Sequence, residues 1–173
     1  MIESDVRLPS RFFADLSRRC GRAGPEAAGA LREAGRALGG QLVEELPRRE
    51  HPDRASPDAF WEIAAEVLSE HGLGDLDMEV KTPSVAELRL RGGPEAAGEG
   101  EESPAGGACP LATGIVAGVL TAAADEPVAV LEVACAADGD EACRWLAGSR
   151  ETLEGVRGAL REGASVREAL EAS

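Results

Sequence analysis

Between Cys109 and Cys143 lie three of the four cysteines of the chain, and one acid, Glu132, interrupts the apolar run from Val128 to Ala134. Burying a carboxylate with no partner is costly, so a fold that places this strand in its core must bring a cation or strong donors to Glu132. Thiolates at Cys109, Cys135 and Cys143 would share that need. Thiolate and carboxylate both suit zinc, and four protein donors leave no coordination position open, which is the mark of a structural site rather than a catalytic one. Residue types alone leave two other readings open. The spacing contains no paired C-x-x-C of the zinc-finger kind, and buried cysteines are commonly small hydrophobes without any metal. A disulfide between Cys109 and Cys143 is the third reading.

The same stretch resembles the 4-vinyl-reductase domain family. That family's signature is a cysteine heading a glycine-containing helix, a strand bearing Glu-x-x-Cys, a glycine turn and a final cysteine. Here Cys109, Gly114 and Gly118 stand in the helix, Glu132-Val133-Ala134-Cys135 in the strand, Gly139 in the turn and Cys143 at the end. The match is specific over about residues 85–148 and loose before that. It implies an α/β protein of the α+β type, with an antiparallel sheet packed against helices as in trafficking-complex (TRAPP-like) subunits. It also implies a structural zinc held by Cys109, Glu132, Cys135 and Cys143, and a hydrophobic pocket beside it. The family-like domain would occupy residues 1–148, and residues 149–173 would form a helical extension.

In the phenol-sensing members of this family, the positions that contact the ligand's ring correspond here to Thr113, Val119 and Val130, none of them aromatic, and the sensors' polar histidine falls near Phe60. The chain has no tyrosine at all. With Leu88 and Ile115 completing the lining, the resemblance implies a pocket for an apolar or lipid-like molecule rather than a phenol, because nothing in it would satisfy a buried hydroxyl. The expected function is non-enzymatic binding or sensing of a hydrophobic small molecule by a zinc-stabilised, homodimeric domain. One alternative is a dimerisation scaffold that engages a protein partner and holds no ligand. The other is reduction of a vinyl group on a tetrapyrrole, which would need a hydride source, and the chain carries no dinucleotide fingerprint.

Charge narrows the partners. A net charge of −14, from 32 acidic and 18 basic residues, argues against nucleic acid and anionic membrane surfaces, both of which require basic patches. At 173 residues the chain can bury one sizeable core. Neither a signal-peptide pattern nor a long apolar run is present, so the expected compartment is the cytoplasm, where reduced thiols bind metal more readily than they pair.

The remaining elements follow from periodicity. A short helix over Ser10–Leu16 would be capped by Ser10 and bury Phe12 or Phe13 with Leu16; Cys20 after it is read as a plain structural or exposed thiol. A long amphipathic helix spans Glu26–Leu46, where Gly29, Gly35, Gly39 and Gly40 point to close approach of another backbone, by internal packing or in a dimer. Arg48–Ala55, with His51, is a charged linker. Ser56 and Pro57 open a helix that presents Phe60, Ile63, Val67 and Leu68 and stops at Gly72, with His71 in its last turn. The period then changes to two: Leu76, Met78, Val80 and Ala86, Leu88, Leu90 give two antiparallel strands around Thr82–Ser84. Residues 92–107, small and acidic, read as a mobile surface loop without chemistry. A buried helix over Pro110–Ala124, a strand over Val128–Ala134, a turn at Asp138–Asp140 and a strand over about Ala142–Ala147 complete the core. Glu132 and Cys135, three apart, would face opposite sides of a regular strand, so a bulge or the strand's end must bring them together. The tail offers one helix with Leu153, Val156 and Leu160, then a second opened by the capping box Ser165–Glu168.

Overall fold

Alternation of apolar and charged residues after Gly74 builds the sheet on which everything else rests. The computed structural model describes residues 9–45, 57–96, 109–124 and 126–172. Helices α1 (Ser10–Ala23), α2 (Pro25–Glu45) and α3 (Pro57–Glu70) come first, then strands β1 (Asp75–Thr82) and β2 (Val85–Arg91). Helix α4 (Pro110–Ala124), strands β3 (Ala129–Ala134) and β4 (Cys143–Gly148), and helices α5 (Arg150–Arg161) and α6 (Val166–Glu171) complete the order. The four strands form one antiparallel sheet in the order β1-β2-β4-β3. No described helix is long and apolar enough to cross a membrane.

Each face of the sheet buries its own cluster, as the two-residue period requires. Leu88, Leu90, Cys143, Trp145 and Ala147 turn toward α4, joined by Leu42, Leu68 and Leu76. Val85 and Leu146 turn the other way, onto Leu153, Val156 and Ala169 of α5 and α6. The tail helices therefore cover one side of the sheet rather than projecting from it. Ser149 caps α5 by accepting from Thr152 N, and Ser165 with Glu168 forms the expected capping box on α6.

Helix α4 is buried at every position from Ala112 to Leu120 because it lies between the sheet and α2. Four glycines permit this. Side chains at Gly35 and Gly39 would overlap the α4 backbone around Leu111, Ile115 and Val119, and side chains at Gly114 and Gly118 would overlap the α2 backbone at Arg32 and Arg36. The order of these contacts shows that the two helices run in the same direction. The glycine face of α2 is thus turned inward at Gly35 and Gly39, whereas Gly29 and Gly40 have nothing within 4 Å of a built Cβ.

Several expectations need correction. Helix α1 runs to Ala23 instead of stopping at Leu16, since nothing breaks it before Gly24 at φ 116°; its N-cap is Pro9, whose carbonyl accepts from Phe12 N, rather than Ser10. Its buried residues are Ala14 and Ser17, while Phe13 and Leu16 are half-buried and Phe12 is 45% exposed. Val80 is 67% exposed, beside the register shift that ends the β1–β2 pairing. Gly93, Pro94 and Glu95, expected in a mobile loop, are buried in and before a short 3-10 turn, Pro94–Ala96. Helix α3 begins at Pro57 and closes as expected at Gly72, at φ 69°, with Gly72 N bonded to Ser69 O and Leu73 N to Leu68 O. Ser56, the Arg48–Ala55 segment with His51, and residues 97–108 lie outside the described residues, as do the side chains of Phe60, Ile63 and Val67.

Candidate metal centre

Strand β3 solves the spacing problem with one extra residue. Glu132 pairs with Trp145 and Ala134 with Arg144, so Val133 is skipped and the pairing slips by one. Beyond the bulge Cys135 regains the face already occupied by Glu132, the α4 side that Cys143 and Trp145 also share. The start of α4 then brings Cys109 over the hairpin. Cys109 Sγ lies 3.6 Å from both Cys135 Sγ and Cys143 Sγ, and the last two sulfurs are 3.9 Å apart. One donor atom from each of Cys109, Glu132, Cys135 and Cys143 falls within 4.8 Å of all the others, a group that could hold a metal ion. The sulfurs are free thiols, so the disulfide reading fails.

The turn between the strands is built around these sulfurs. Cys135 N donates to Asp140 Oδ2 at 2.9 Å and Ala136 N donates to Cys143 Sγ at 3.4 Å, while Gly139, at φ 100°, reverses the chain. The three cysteines are buried. Cys109 N lies 3.5 Å from Glu132 Oε2, yet Glu132 Oε1 is buried with no hydrogen-bond partner. That orphaned oxygen, facing three sulfurs, is what a cation would satisfy. Lacking a cation, the four groups compete for protons. Burial and the nearby Cys135 sulfur push the Glu132 carboxyl up to about 8. Contacts with the Cys135 and Cys143 sulfurs, then burial, drive the Cys109 thiol upward, whereas contacts with Cys109 and Cys135 draw Cys143 down to about 4.

Residues 87–148 match the profile of the 4-vinyl-reductase domain. The chain carries a vinyl-reductase-like domain. No curated protein matches it in sequence. Among solved structures it is similar to the phenol-responsive sensory domain of the transcription activator PoxR with phenol, at 16% identity and a TM-score of 0.69 over 93% of this chain and 84% of that one. It is similar also to a vinyl-4-reductase family protein from Methanocaldococcus jannaschii, at 20% identity, TM-score 0.53, over 84% of this chain and 83% of that one. A third neighbour is trafficking protein particle complex subunit 3 from Naegleria fowleri, covalently bound to palmitic acid, at 12% identity, TM-score 0.62, over 80% of this chain and 91% of that one. The vinyl-reductase-like domain thus has the α+β architecture with its antiparallel sheet, shared with a trafficking-complex subunit.

The residues expected to line a pocket are placed less simply. Leu88, Ile115 and Val119 are buried in the α4-side cluster with Val130 packed against it. Thr113 is buried too, its hydroxyl accepting from Trp145 Nε1 at 2.8 Å. Ile115 also lines an apolar cavity of about 20 Å³, with Leu68, Leu73, Leu90 and Leu111. The described part of Phe60 does not include its side chain. Cys20 is half-buried on α1, and His71 is exposed at the end of α3, far along the chain from the cluster.

Sequence reasoning missed Glu95. Its side chain is 4% exposed and accepts from Leu111 N at 3.1 Å, from Ala112 N at 2.5 Å and from the Ser17 hydroxyl. Burial raises its pKa against the opposing pull of those three bonds. No local pattern joins it to α4, 16 residues away. A usable signal did exist: a helix opened by Cys-Pro has no capping side chain to spare if the cysteine ligates, so an acceptor must come from elsewhere.

Proposed function

We propose that this chain is a non-catalytic, sensor-type domain that binds an apolar small molecule and is locked by a structural zinc ion on Cys109, Glu132, Cys135 and Cys143. One observation carries the zinc reading. A tetrahedron of thiolates around zinc, with bonds of about 2.3 Å, has edges of about 3.8 Å, and the sulfur separations here are 3.6, 3.6 and 3.9 Å. With Glu132 as fourth donor no position stays open for substrate, so the ion would fasten the start of α4 to the β3–β4 hairpin.

The ligand reading is supported by the family match, by neighbours whose bound molecules are phenol and palmitic acid, and by the apolar cavity under α4. The aliphatic character of Leu88, Ile115, Val119 and Val130 favours a hydrocarbon-rich ligand, and the small free volume means that binding would displace side chains or helix α3. Native mass spectrometry of the freshly purified chain tests the whole proposal. One zinc per chain with an additional organic mass is the expected result, and the same spectrum reports whether the chain is the homodimer proposed. Zinc with no ligand would favour a protein-binding scaffold; a metal-free chain at neutral pH would overturn the metal reading.

A further inference from the structure

We infer that Glu95 is a positioning residue of the metal centre, supplying from another part of the chain the helix cap that Cys109 gives up when its sulfur turns toward the cluster. The inference rests on the reading of that cluster as a metal site. Cys109 is the N-cap of α4, since its carbonyl accepts from Thr113 N at 2.9 Å, and Pro110 at the first helical position has no N–H. The amides left over belong to Leu111 and Ala112, the two that an N-cap side chain normally serves. The Cys109 sulfur serves neither; it lies 3.6 Å from two other sulfurs. Both amides go to the two oxygens of Glu95, where the helix dipole also favours a negative charge. The Ser17 hydroxyl donates to the same carboxylate and ties α1 to this helix end. Take Glu95 away, and Cys109 faces competing demands from orphaned amides and from the metal.

The test compares full-length wild type with Glu95→Ala, Glu95→Gln and Ser165→Ala, each loaded with zinc, by the rate of metal transfer to a competing chelator. Ser165→Ala removes a helix cap remote from the cluster and controls for stability loss alone. Expected are 10–100-fold faster release from Glu95→Ala, roughly the loss typical when a residue supporting a metal ligand is removed, a few-fold change from Glu95→Gln, which keeps one acceptor, and none from Ser165→Ala. Cobalt substitution adds a spectroscopic readout: the sulfur-to-cobalt band of Glu95→Ala shifts or weakens while that of Ser165→Ala does not. Wild-type release rates in both Glu95 variants would overturn the inference. If Glu95→Ala fails to fold, Glu95→Gln decides by the same criterion. Should wild type itself bind no metal, the metal-site reading fails, a result distinct from equal release by loaded wild type and variants.

Discussion

The two sides of the sheet are stabilised in different ways. On the α5–α6 side every helix start is served by its own neighbours, Ser149 through Thr152 and Ser165 through Glu168, and the buried contacts are aliphatic side chains such as Leu146, Leu153 and Val156. On the α4 side almost nothing is local. Helix α4 is capped by Glu95, packed backbone to backbone against α2, and joined at Cys109 to a cluster whose other members lie beyond the next strand. Short-range signals suffice for the first face, while the second needs several distant segments to arrive together.

The sharpest way to break this contrast is to remove the metal. Chelation, or Cys135→Ser, is expected to cost at least about 4 kcal/mol, with hydrogen exchange rising first in the opening turn of α4 and in the turn before β4, and last in α5. Next in size is the helix pair. Gly39→Ala should cost about 3 kcal/mol by forcing the backbones apart, whereas Gly29→Ala, in open space on the same helix, should add roughly 0.5 kcal/mol; chemical denaturation curves separate the two. Val156→Ala, fully buried on the opposite side, should cost about 2 kcal/mol and leave metal transfer to a chelator unchanged, a combination that the α4 face cannot produce. Smallest is Ser165→Ala, about 1 kcal/mol, read from thermal unfolding and confined to the exchange of α6.

The same division explains what could be read from the chain. Periodicity and caps located α3, the two hairpin strands, α5 and α6, because Pro57, Gly72, Ser149 and Ser165 act within a few residues of themselves. The metal group was legible through an odd local fact, an acid inside the apolar run 128–134, and the need for an irregularity in β3 followed from counting. Glu95 was hidden because its partners, Leu111, Ala112 and Ser17, are remote in sequence and its own surroundings look like filler. For the glycines the sequence indicated close approach without a partner; only the fold assigns Gly35 and Gly39 to α4. Helix α1 was cut short for a related reason, as its buried face is made of Ala14 and Ser17 rather than its aromatic residues.

The skipped pairing at Val133 makes the centre sensitive to chain length in a way that composition does not reveal. Along an unbroken strand, side chains two apart agree in direction and side chains three apart do not. A modest swap at Val133 would therefore be absorbed, but deleting it would send either the carboxylate or the Cys135 thiol to the α5 side, with every chemical group still present in the chain and the donor set beyond assembly.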